Sequence, residues 1–309
     1  MADQSKIIKK ILAWSLVSGA LKLSKKLVLP GFDGKPLYDV TVFFFQGITK
    51  GYITLRAAAI SFSLFLAIFP FLIFLFSIIP FIPIENFQQS LLELIREFLP
   101  MSAYDTVKGT IIDIVTRPRS SLMIMNLILT LYFSTNGVNS LIEAFNNSAH
   151  VFEMRSTVKQ YLISVLIVII ISLLLIVSIG LITFGSEILT IFLPPFITES
   201  AFYSILPELL RWLVILALLL FAISFLYSLA PARHARFRLI SAGSMLATTL
   251  IVITTLGFNF YVDNFSSYNA LYGSLGTLMI VLMWIYINAI SLLIGFELNV
   301  SIRKAREEP

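Results

Sequence analysis

Apolar residues in this chain come in long uncharged blocks, not in the short stripes of a soluble domain. The last block shows the pattern most fully. Tyr268-Asn269-Ala270-Leu271-Tyr272-Gly273-Ser274-Leu275-Gly276 leads into it, no charge falls between Leu275 and Phe296, and Glu297 with Arg303, Lys304 and Arg306 closes it. Such a run exceeds the ~20 residues that a helix needs to cross a bilayer's hydrocarbon core. Five earlier blocks repeat the pattern, which predicts six spans over 57–79, 122–144, 161–184, 209–229, 239–262 and 275–298. Pro70 falls inside the first and is expected to kink it, and Pro80 and Pro83 end it. The third could run past Glu187 to Leu193, where Pro194-Pro195 stops it.

The segments between blocks differ in kind. Residues 1–56 interleave lysines with isoleucine, leucine and valine, which predicts helices lying on the inner membrane face, broken at Pro30-Gly31 and Asp33-Gly34. A helix starting near Pro36 is expected to run past Lys50 and Arg56 into span one. In 85–118, Phe87, Leu91, Leu94, Ile95 and Phe98 follow helical spacing up to Pro100. Ser102-Ala103-Tyr104-Asp105 then opens a second amphipathic helix. Neither is long enough to span, so 85–118 reads as a helical hairpin outside the membrane between spans one and two.

Composition agrees. The 309 residues are 58% hydrophobic and only 13% charged, against ~25% charged in a soluble domain. The net charge of +5 does not point to nucleic acid, because the basic residues lie between spans, where they mark loops facing anionic lipid. Placing both termini inside puts 17 Lys and Arg residues on the inner side and five outside. The expected architecture is therefore an all-α membrane protein of six transmembrane helices with N and C termini cytoplasmic, 299–309 forming a cytoplasmic tail. With no cysteine in the chain, disulfides, thiolate metal sites and cysteine nucleophiles are excluded.

Several fragments, in this order and spacing, resemble the YihY/BrkB family of bacterial inner-membrane proteins. They are Ala59-Ile60-Ser61-Phe62-Ser63 leading to Phe69-Pro70, Phe98-Leu99-Pro100, and Ala144-Phe145-Asn146-Asn147 with Glu153-Met154-Arg155. Leu226-Tyr227-Ser228-Leu229-Ala230-Pro231 follows, then Tyr272-Gly273-Ser274-Leu275-Gly276, Trp284-Ile285-Tyr286 and Leu293-Ile294-Gly295-Phe296-Glu297. Phe296 stands where that family commonly has alanine. The resemblance implies a six-helix protein of the bacterial cytoplasmic (inner) membrane whose molecular activity is unsettled. The family has carried a ribonuclease label, and one branch is named for a virulence and serum-resistance phenotype.

The residues themselves do not suggest an enzyme. The two histidines, His150 and His234, are far apart and form no HxH or HExxH pattern, so a metal-dependent nuclease lacks its ligands. No cofactor is expected. Polar residues inside the spans are the better signal. Asn136, Asn139, Ser140 and Glu143 share one helical face, as do Thr255, Asn259 and Asp263, and Asn288 lies near the middle of span six. They could line a path for a small solute, ion or lipid. The alternative is interhelical hydrogen bonding, worth ~0.6 kcal/mol per bond. Arg233, Arg236 and Arg238 form a basic loop suited to anionic headgroups, a substrate site being the alternative. Arg56, Glu143 and Glu297 sit at the inner ends of spans one, two and six, and an ion pair from Arg56 to either carboxylate is expected. Two functions follow: binding or transport of a small solute, ion or lipid, or a non-transporting envelope scaffold with a protein partner at 85–118.

The charge count makes orientation testable. Ser90→Cys and Asn264→Cys should react with an impermeant thiol reagent added outside intact cells, and His234→Cys should not. The reverse pattern would invert the topology.

Overall fold

A computed structural model describes residues 23–81, 120–148, 155–192, 206–232, 238, 240–264 and 274–307. Residues 1–22, the segment 85–118 where a hairpin is expected, and Arg233 and Arg236 lie outside the described residues. Among those described, every regular element is helical. The helices are α1 (Leu37–Lys50), α2 (Ile53–Ile78, followed by a 3-10 turn at Ile79–Phe81), α3 (Ser120–Asn146), α4 (Thr157–Phe192), α5 (Leu206–Leu229), α6 (Ala242–Asn264) and α7 (Ser274–Glu307). Helices α2 to α7 are each long and apolar enough to cross a membrane. In hydrocarbon no water can satisfy a peptide group, so an apolar block of this length closes its hydrogen bonds as a helix.

Each spanning helix packs on its neighbours in sequence, and α7 returns against α2, so the six form a ring in chain order. α1 lies against α7. The core inside the ring takes Ala57 and Ile60 from α2, Ile142 and Phe145 from α3, Ile167 from α4, Ile223 and Leu226 from α5, Ala247 from α6, and Leu293 and Phe296 from α7. The outward faces are just as apolar: Leu162 is 64% exposed, Ile176 65% and Phe260 68%. That pattern suits a bundle whose solvent is lipid.

Two features differ from the sequence expectation. The helix expected to run unbroken from Pro36 into span one is divided at Gly51 and Tyr52, where Tyr52 takes φ 47°. A Cβ on Gly51 would run into the Gly47 carbonyl oxygen and come 2.9 Å from Arg56 Nη2. The break therefore lets the chain pass tightly around the Arg56 side chain. The expected tail at 299–309 continues α7 as far as Glu307. Ile302 and Ala305 are buried there with Phe32 and Val40 in a second small core that joins the tail to α1 and the 29–35 turn. Lys304 and Arg306 in the last turn complement the helix dipole.

α6 and α7 approach most closely at Gly243 and Gly295. A Cβ on Gly243 would strike the Gly295 carbonyl oxygen, and one on Gly295 would lie 2.5 Å from the Gly243 oxygen and 2.7 Å from the Tyr227 hydroxyl. Small residues let two backbones meet in this way, and Gly243 N–H donates to Asn299 Oδ1 across the crossing at 2.8 Å. Gly243→Ala and Gly295→Ala should each lower stability by about 1–3 kcal/mol through overpacking. Gly180→Ala and Gly257→Ala, which would meet nothing within 4 Å, should be neutral or slightly stabilising. Unfolding in detergent measures the difference; equal behaviour of the four variants would contradict the close crossing.

Candidate functional site

The first turns of α2 carry Arg56 into the wall between α3 and α7. Its side chain is 8% exposed. Nη2 donates to Glu297 Oε1 at 2.6 Å and Nη1 to the Ala144 carbonyl oxygen at 2.7 Å. Glu297 is fully buried, and its Oε2 accepts from Ser148 Oγ at 2.9 Å. One carboxylate thus ties α2, α7 and the chain just past α3. Arg56 Nε is buried without a partner among the described residues.

Glu143, the other carboxylate considered for Arg56, is not its partner. Successive residues turn about 100° around a helix, so the face of α3 that meets Arg56 presents the Ala144 carbonyl. Glu143 points elsewhere and accepts from Asn139 Nδ2 at 2.8 Å.

Aromatic rings flank the ion pair. Phe145 stacks on Phe296 with centroids 4.2 Å apart, and Tyr227 packs edge-on against both at 5.6 and 5.7 Å. The Tyr227 hydroxyl donates to the Leu292 carbonyl at 2.6 Å. Around this cluster, side chains close the helix ends. Arg155 donates to the carbonyls of Leu229, Ala230 and Pro231, satisfying the C-terminus of α5. Asn146 Oδ1 accepts from Ala232 N–H at 3.0 Å. Ser241 and Ser244 bond reciprocally to open α6.

Beside the aromatic cluster, at the same end of the bundle, lies a cavity of about 340 Å³. Ser224, Tyr227 and Ser228 of α5, Ser241 before α6, and Phe296, Asn299, Arg303 and Arg306 of α7 line it, with Asp33 and Arg238 near its edge. Asp33 forms a salt bridge with Arg238 and lies 4.0 Å from Arg306 Nη1. The hydrogen bond to Asp33, and then its charge, hold the Arg238 guanidinium above its ordinary value against a small opposing effect of burial. Phe296 is the lining residue furthest into α7. Asn288 is eight residues, or about 12 Å, further along, so the cavity stops short of the middle of that helix.

The polar residues expected to line a path do not meet in this cavity. Asn139 Oδ1 accepts from Gln160 Nε2 at 2.8 Å, which staples α3 to α4. Asn136 is half-buried on α3, one turn before Ser140, which bonds Ser63 at 2.8 Å between α3 and α2. Thr255 is half-buried on α6, and Asn259 is exposed beside Trp284 in a groove of about 260 Å³ between α6 and α7. Asn288 Nδ2 donates to the Trp284 carbonyl of its own helix at 2.8 Å, and its Oδ1 is buried without a partner among the described residues. Arg238, which the sequence placed in a basic loop suited to anionic headgroups with a substrate site as the alternative, lines the cavity.

Sequence reasoning missed Ser148, Phe145, Tyr227 and Phe296 as parts of this site. The signal lay in the fragments that carried the family resemblance. Ala144-Phe145-Asn146, Arg155, Tyr227 to Pro231 and Leu292 to Glu297 are more than 60 residues apart in places, yet they touch here.

Residues 44–309 match the family described as Virulence factor BrkB. The chain belongs to the BrkB family. Among curated relatives of this BrkB-family chain, the ribonuclease-like protein YfkH of Bacillus subtilis is 28% identical over 82% of the chain and 91% of its own length. A UPF0761 membrane protein of Haemophilus influenzae is 25% identical, covering 88% of the chain and 98% of the relative. A UPF0761 membrane protein of Xanthomonas campestris is 26% identical over 82% of the chain but only 58% of its own length. No solved structure matches. The BrkB-family chain is thus a membrane protein of several apolar helices, and the names of its relatives show no catalytic mechanism.

A buried charge left without its partner costs about 3–5 kcal/mol. Arg56→Ala and Glu297→Gln should each destabilise the bundle on that scale. The double variant should be milder than their sum by about 1–3 kcal/mol, whereas Arg56→Ala with Glu143→Gln should add to within ~0.5 kcal/mol. Reversible unfolding in mixed detergent reads all five proteins. Additivity at Glu297 would remove the pair.

Proposed function

We propose that this BrkB-family protein sits in the bacterial cytoplasmic membrane with both termini inside, binds a small solute, ion or lipid at its inner end, and carries it across. The observation behind this is the cavity of about 340 Å³ at one end of the six-helix ring, lined by hydroxyls, an amide and arginines. A ring built only as a scaffold has no need of a polar cavity of that size at the end of its apolar helices. The distribution of Lys and Arg, 17 on one side and five on the other, supports placing that end in the cytoplasm.

The cavity ends at Phe296 and Tyr227, and the rings of Phe145, Phe296 and Tyr227 close the space behind it. Passage across the membrane therefore requires this cluster to separate.

Catalysis is not part of this proposal. The ribonuclease-like name belongs to the Bacillus relative. In this sequence the two histidines, His150 and His234, form no HxH or HExxH pattern.

The chain has no native cysteine, so Ser228→Cys gives a clean probe of the cavity. In inside-out vesicles it should react with an impermeant thiol reagent, and in right-side-out vesicles it should react far more slowly. In proteoliposomes, a panel of radiolabelled ions, organic acids and fluorescent lipids should contain at least one species that the unmodified protein moves and the blocked variant does not. A thiol at 228 unreactive from either face would remove the cavity and favour the scaffold function at 85–118. A reactive thiol with no flux of any species would leave binding without transport.

A further inference from the structure

Three arginines line or edge the inner cavity, Arg238, Arg303 and Arg306, against two carboxylates, Asp33 and Glu307. The N-terminus of the 23-residue helix α6 also opens onto it at Ser241, adding the positive end of a helix dipole. Asn299 on the α7 wall is bonded to Gly243 and Ser241, and the Ser228 hydroxyl donates to the Phe225 carbonyl, so recognition rests on the arginines. A site with this charge balance and planar guanidinium donors suits an oxyanion.

Asp33 makes the case sharper. It takes φ 52° between Gly31 at 86° and Gly34 at 79°, in a turn anchored by the buried side chain of Phe32. Its carboxylate bonds Arg238 and faces Arg306 from 4.0 Å, so two cavity arginines already converge on an oxyanion supplied by the chain itself. The arginine side chains are 48% and 66% exposed, and ion pairs so open to water are weak. A phosphate, with its higher charge and three acceptor oxygens, can displace such a partner.

We infer that the cavity holds the phosphate or phosphate-like oxyanion of its ligand against Arg238, Arg303 and Arg306, and that Asp33 occupies the oxyanion's place when the ligand is absent. This rests on the binding role proposed above. The phosphate can belong to a lipid headgroup or to a small soluble molecule, since the cavity lies at the end of the spans, at headgroup depth.

The test again uses Ser228→Cys in the full chain in nanodiscs. An anionic sulfonate thiol reagent should modify it about tenfold faster than a cationic trimethylammonium reagent, because a positive cleft concentrates anions. Arg303→Gln with Arg306→Gln should bring that ratio close to one. Asp33→Asn should raise it several-fold; asparagine tolerates positive φ, so the turn survives, and size-exclusion profiles verify the fold of each variant. Inorganic phosphate should slow modification if the natural ligand is soluble. Replacing phosphatidylcholine with phosphatidic acid in the nanodisc should slow it if the ligand is a lipid. Protection by either one supports the inference and identifies the source; protection by neither overturns it. A ratio near one that ignores both the arginine and Asp33 variants also overturns it, while leaving an open cavity intact. A thiol that neither reagent modifies would instead defeat the binding role itself.

Discussion

A fully buried carboxylate among apolar helices is stable only if a cation and further donors meet it. Glu297 sets that condition for this fold. Arg56, which reaches it from α2, also holds the Ala144 carbonyl at the end of α3, and Ser148 fills the second carboxylate oxygen. Because α7 is the last and α2 the first of the described helices long enough to span, this pair closes the ring. The tight passage at Gly51 lies beside it: a Cβ there would run into the Gly47 carbonyl oxygen and come 2.9 Å from Arg56 Nη2. The neighbouring rings lie beside it too, with Phe145 and Phe296 each adjacent in sequence to a residue of the network.

Several other described polar groups within the spans are spent locally. Ser61, Thr130, Ser164, Thr248 and Ser291 donate to the carbonyl four residues earlier in their own helices. A hydroxyl satisfied in this way can face lipid or core without a partner on another helix. Interhelical polar contacts are fewer and specific: Ser63 with Ser140, Asn139 with Gln160, Asn299 with Gly243 and Ser241. Asn139 and Ser140 on α3 therefore form seams to α4 and α2.

That arrangement links architecture to function. The rings of Phe145, Tyr227 and Phe296 separate the polar cavity from the packed interior. Tyr227 takes part in both the aromatic cluster and the Gly243–Gly295 crossing, where its hydroxyl lies close to where a Gly295 side chain would be. A shift of α6 against α7 would be felt directly at the cavity wall.

From sequence alone, the six long apolar helices and the family were legible, because an uncharged run longer than the bilayer core has one stable conformation in lipid. The break at Gly51 and the helical tail were not, since both depend on contacts with distant residues. Arg56 and Glu297 could be suspected as partners from their similar depth. Choosing Glu297 over Glu143 required the rotation of α3, which places the Ala144 carbonyl, and not the carboxylate, toward Arg56. Asn136, Asn139, Thr255, Asn259 and Asn288 looked like one path because each sits on a polar face. Which faces meet is decided by how the helices pack, and packing sends them to different seams and surfaces. Tertiary structure alone brought Asp33, Arg238 and the end of α7 to one cavity, more than 200 residues apart along the chain.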